Sequence, residues 1–137
     1  MPLGYSQIAK NVLPPVPCPG VATNLALVDS VSDGLTATAS GTQTTALLLV
    51  SKLNRITTVA SAGDAVRLPP AIAGISITVR NAATTNAMNV YPSSAAQGGV
   101  TGGDAINALG ANAAYSQTVA ANTVTFRCYT TGIWSTL

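Results

Sequence analysis

The sequence predicts an all-β protein, an antiparallel β-sandwich of jelly-roll type or a β-barrel, built as a single domain behind an extended Pro-rich N-terminal arm. Three observations lead there. Short runs rich in Val, Ile, Thr and Leu are separated by Gly, Asn, Asp and Ser at the spacing of a sandwich or barrel. Two of these runs, Ile75-Ser76-Ile77-Thr78-Val79-Arg80 and Val124-Thr125-Phe126-Arg127-Cys128-Tyr129, alternate apolar and polar side chains, the period of a half-buried strand. No long stretch carries the 3.6-residue apolar period of a helix. The length of 137 residues suits one ordinary domain.

Residues 1–23 read as an arm. Pro14-Pro15-Val16-Pro17-Cys18-Pro19-Gly20 removes four backbone donors in six residues and favours extended or polyproline backbone. Tyr5, Ile8, Val12 and Leu13 bring apolar surface that so short a segment cannot bury alone. With Pro14, Pro15, Val16 and Pro17 they form the candidate partner-binding arm, a clamp that orders on another subunit. A disordered terminus, or one folded back on its own body, is the plainer alternative.

Residues 24–137 form the expected β-domain. Strands are expected at 25–31, 35–39, 46–52, 55–61, 65–68, 75–81, 88–91, 114–119, 123–130 and 133–137. Thr130-Thr131-Gly132 supplies a hairpin turn that pairs the last two and sets Trp134 near Phe126 and Cys128. Asp33-Gly34 is a second turn signal, Asn54 with Arg55 a third, and Pro69-Pro70 stops a strand. The stretch 93–110 holds Gly98-Gly99 and Gly102-Gly103 and few large side chains. It reads as an extended, mobile loop with at most one helical turn, around 105–109. Gly63-Asp64-Ala65 and Gly103-Asp104-Ala105 repeat one tripeptide, which turn chemistry explains without a duplicated unit.

Charge narrows the function. The chain has six Lys plus Arg, four Asp, no Glu and no His, so charged residues are 7% of it against roughly 25% in an average soluble domain. Proton transfer near neutral pH needs a His or a perturbed carboxylate, which argues against an enzyme. A surface with so few charges desolvates at small cost and suits a protein packed against neighbours. The basic residues Lys10, Lys52, Arg55, Arg67, Arg80 and Arg127 are scattered along the chain, which argues against nucleic acid as a partner. No run reaches the roughly 20 apolar residues of a membrane span, and the N-terminus lacks the pattern of a signal peptide, so synthesis in the cytoplasm is expected and no membrane partner. Cys18 and Cys128 have no metal-site spacing. Cys128 reads as a small buried hydrophobe, and a disulfide between the two is open.

Tests for chemistry find little. Asp29 and Asp33 could suggest a glycosidase pair or a calcium site, but Asp33 sits beside Gly34 in a turn signal and further oxygen ligands are missing. No Ser, Thr or Cys nucleophile has a His or Glu base, and no nucleophile-elbow motif occurs. The glycine-rich 98–103 lacks the ending of a phosphate loop. Trp134, Tyr129, Tyr115 and Phe126 could stack on a sugar, yet with six aromatic residues in all most are needed for the core. Neither cofactor, nor metal, nor small-molecule substrate is expected.

Several motifs in order then become recognisable: Gly63-Asp64-Ala65-Val66-Arg67-Leu68-Pro69, Ile77-Thr78-Val79-Arg80-Asn81, Asn89-Val90-Tyr91-Pro92, Gly103-Asp104-Ala105-Ile106-Asn107-Ala108-Leu109-Gly110-Ala111-Asn112, and Val124-Thr125-Phe126 followed by Gly132-Ile133-Trp134-Ser135-Thr136. Together, over roughly 44–137, they resemble a β-domain met in small structural proteins of tailed bacteriophages. The resemblance implies a virion component that acts as a homotrimer, as a capsid decoration or cement protein or as a head- or tail-fibre module. One domain, a short arm and the absence of heptads or repeats favour the cement protein. The expected partners are therefore the major capsid protein and further copies of the chain, with Ala46-Leu47-Leu48-Leu49-Val50 between subunits and the virion capsid surface as location. The alternative is a fibre or tail-tip module whose loop 93–110 binds a host-surface glycan or protein.

Overall fold

The computed structural model describes residues 29–118 and 121–137. The arm, with Tyr5, Ile8, Val12, Leu13, Pro14, Pro15, Val16, Pro17 and Cys18, and most of the strand expected at 25–31 lie outside the described residues. Ten strands follow in order: β1 Val31–Thr36, β2 Leu47–Leu48, β3 Leu53–Thr58, β4 Ala65–Arg67, β5 Ser76–Asn81, β6 Met88–Tyr91, β7 Ala105–Ile106, β8 Tyr115–Gln117, β9 Thr123–Thr130 and β10 Ile133–Thr136. A 3-10 turn at Ala95–Gln97 precedes β7. The all-β class holds.

The expected antiparallel sandwich, jelly roll or barrel does not. The chain winds as a short β-solenoid, laying successive strands alternately into a long sheet ordered β1-β3-β5-β9-β10-β7 and a short one ordered β2-β4-β6-β8. β1, β3 and β5 stack in parallel, with Val31 beside Leu53 and Leu53 beside Thr78. β2, β4 and β6 do the same through Leu47, Val66 and Val90. Parallel neighbours need a crossover connection, and here each crossover is a strand of the other sheet. The coils differ in length, so no fixed sequence period marks them. After three coils the winding closes antiparallel: β8 on β6, β9 on β5, and β10 on β9, with β7 parallel along β10.

Inward-facing residues of both sheets make one core. Ile56, Val66, Leu68, Val79, Met88, Val90, Ile106, Phe126 and Trp134 are fully buried, and Leu49 nearly so. At about 25 cal/mol per Å² of apolar surface removed from water, such burial is the main force holding the coils together. Tyr115 meets Phe126 edge to face, with ring centroids 5.6 Å apart and planes at 89°. The β9–β10 hairpin forms as expected, with Trp134 opposite Cys128 and Thr136 opposite Phe126. Cys128 is buried, and its thiol donates to the Thr130 carbonyl at 3.2 Å.

Three local expectations need correction. Asp33-Gly34 is not a turn between strands but a bulge inside β1. Gly34 adopts φ 71°, and the register with β3 slips between Ser32 and Leu35. Asn54 and Arg55 lie within β3, where Asn54 is buried and donates to the Ser51 carbonyl at 2.6 Å. The helical turn expected at 105–109 falls at Ala95–Gln97 instead, because Ala105–Ile106 pairs with β10. The loop around it is tied down rather than loose. Asp104 N–H donates to Ser93 O, Asn112 N–H to Asp104 O, and the Gln97 amide to Gln43 O.

Candidate functional site

The fate of the carboxylates decides what chemistry the molecule can offer. Asp29 pairs with Lys52 and Asp33 with Arg55, each at 2.9 Å and each exposed. Asp33 Oδ1 also accepts the Gly34 N–H at 2.7 Å, and the Arg55 guanidinium together with that amide holds its carboxyl below the usual range. The two remaining aspartates are buried, and both belong to the repeated Gly-Asp-Ala tripeptide. Asp64 accepts the backbone N–H groups of Ser61 at 2.9 Å and Ser40 at 3.1 Å, which lower its pKa. Asp104 accepts those of Ala71 at 2.8 Å and Val100 at 2.9 Å. In both copies a left-handed glycine (Gly63 at φ 93°, Gly103 at φ 96°) precedes the aspartate, and a short strand opens at the following alanine. The repeat is thus one framework device used twice, a carboxylate that gathers backbone amides from separate loops.

Nothing among the described residues assembles a metal site of three or more His, Cys, Asp or Glu. Cys128 has its thiol pKa pushed up by burial. The four aromatics considered as a sugar platform are not brought together on the surface. Trp134 and Phe126 are in the core, Tyr115 packs on Phe126, and Tyr129 alone is open, at 65% exposure.

What the fold does assemble is the outer face of the long sheet. In-register pairing aligns Val31, Leu53, Thr78 and Thr125 into one row across β1, β3, β5 and β9. On one side of it Arg55 lies beside Arg80, and Arg80 beside Thr123, whose hydroxyl accepts from Arg80 Nη1 at 3.2 Å. On the other side Ser76, Arg127 and Ser135 are neighbours. Two depressions follow these rows. One of about 360 Å³ is bordered by Lys52, Ser76, Arg127 and Tyr129, and one of about 180 Å³ by Val31, Leu53, Arg55 and Arg80. Four of the six basic residues therefore share a single face.

The sequence held half of this convergence. The alternation that turns Ile77, Val79, Val124 and Phe126 inward turns Arg80 and Arg127 outward. That β5 and β9 are neighbours, and that β3 lies parallel on the far side of β5, follows from pairings among strands distant in the chain. Compared with family models, curated proteins and solved structures, the chain matches none.

Proposed function

We propose that this is a structural virion protein: a capsid decoration (cement) protein that stabilises the phage shell as a homotrimer, its arm of residues 1–23 tying neighbouring capsid subunits. The observation that carries this reading is where the motifs of the resemblance fall. Gly63, Asp64, Gly103, Asp104, Phe126 and Trp134 are all framework positions, either left-handed, amide-gathering or in the core. What resembles the phage domain is thus a scaffold, and a scaffold is shared to present surfaces. The four carboxylates are engaged in holding the chain's own structure, which supports a non-catalytic role.

The mechanism is linkage: a protein that binds only the assembled shell stabilises that shell by mass action. Leu48 and Val50, exposed at 41% and 76% on the strand expected between subunits, are the apolar contacts a trimer would bury. The test is an electron-microscopy map of particles carrying the protein, with bodies in groups of three on the outer shell as the expected result. Density confined to a fibre or tail tip would replace this reading with the host-binding one. Deleting residues 2–19 is expected to leave a folded oligomer that no longer decorates capsids, whereas full occupancy by the truncated protein would remove the arm from the mechanism.

A further inference from the structure

The outer face of the long sheet combines features that a solvated surface has no need for. Arg55 and Arg80 are in-register neighbours on adjacent strands, and like charges placed directly opposite destabilise a sheet. Asp33 offsets Arg55, while neither Arg80 nor Arg127 has a carboxylate within ion-pair distance among the described residues. Between the two cationic rows runs the Val31–Leu53–Thr78–Thr125 row, apolar at its β1 and β3 end, where Val31 is 64% and Leu53 37% exposed. Alternate residues on one strand face repeat at about 7 Å. The apolar row is therefore about 7 Å from each cationic row, and Arg80 and Arg127 are separated by about twice that.

The geometry points to this face as the docking surface for an acidic protein partner, one presenting an extended segment with carboxylates at positions i and i+4 and an apolar side chain at i+2. The carboxylates would meet Arg80 and Arg127, where guanidinium groups form charge-assisted and bidentate hydrogen bonds, and the apolar side chain would lie over Thr78, at the edge of the depression that Thr78 shares with Leu53 and Val31. A second copy of the chain does not fit, because its four carboxylates are already engaged, two of them on this same face. A phosphate backbone fits poorly as well. Two cations without acidic neighbours give few phosphate contacts, and the apolar row would be covered without gain. The inference does not depend on the partner being a capsid subunit.

The probe is the peptide Ser-Glu-Ser-Leu-Ser-Glu-Ser, titrated into the isotope-labelled full chain while amide chemical shifts are followed. Shifts confined to β3, β5 and β9 around Leu53, Thr78, Arg80 and Arg127 are expected, weakening as salt is raised. Replacing both Glu of the peptide by Gln, or making the Arg80→Gln, Arg127→Gln variant, is expected to weaken binding at least tenfold. Replacing the peptide Leu by Ser is expected to weaken it severalfold. The peptide substitutions leave the protein untouched, so the result stands even if the double variant folds poorly. Equal affinity for the Gln peptide, or shifts mapping elsewhere, would overturn the inference. So would occupation of this face by a 20-base-pair DNA duplex at lower concentration than the peptide, or by a second copy as protein concentration rises.

Discussion

The Asp104 carboxylate, fully buried, accepts two backbone amides from separate loops, at Ala71 and Val100. Asp104→Ala leaves both donors without an acceptor, and each unmet buried group costs about 1–3 kcal/mol. Thermal denaturation is expected to show a melting temperature lower by several degrees or more. Gly103 just before it has φ 96°, and a Cβ there would collide with the Asn112 amide, so Gly103→Ala is expected to destabilise through both strain and displacement of that side chain. The pH dependence follows from Asp64 and Asp33, whose carboxyls are held below the ordinary value of 3.8 by amide and guanidinium partners. A depressed folded pKa gives stability that is present above the unfolded value and lost as pH falls through the folded one. With no His and no Glu in the chain, the melting temperature is expected to stay level from about pH 8 to pH 5 and to fall only below about pH 4. Asp64→Asn is expected to shrink that acid-side fall.

At the scale of elements, what the sequence revealed was strand content and facing. β5 and β9 lie where the alternation puts them, and the β9–β10 hairpin follows from its glycine turn because both partners are adjacent in the chain. β1 was misplaced. Gly34 bends a strand as readily as it ends one, and here the chain pairs with β3 on both sides of it, a partner from a neighbouring coil that local sequence does not contain. Loop 93–110 differs for a related reason, since its small residues suggest freedom while Asp104, Asn112 and Gln97 fasten it to Ala71 and Gln43, which are distant in the chain. Pairing on both sides protects β5 and β9, whereas β1 is paired on one side among the described residues. Amide hydrogen exchange is expected to be slowest at Val79 and Phe126 and faster along Val31–Thr36. On β2 and just after it, Leu48→Asp with Val50→Asp is expected to abolish the proposed trimer while leaving the fold intact, because both side chains are exposed in the single chain.

For the whole molecule, the distinction between sandwich and solenoid lay in connectivity, and connectivity is what single-chain periodicity leaves open. Two stacked sheets with inward-facing alternation are common to both; only the parallel register of Val31, Leu53 and Thr78, and of Leu47, Val66 and Val90, tells them apart. The same winding gathers Lys52, Arg55, Arg80 and Arg127, scattered in the sequence, onto one face, while Leu48 and Val50 belong to the other sheet or its exit. The described residues thus present two separate surfaces, one neutral and apolar, proposed for further copies of the chain, and one basic, proposed for an acidic partner. Assembly is central to the proposed function, and sedimentation equilibrium of the full chain at micromolar concentration is its direct test. A species of three times the 13.7 kDa chain mass is expected; a monomer that persists across that concentration range would count against the trimer.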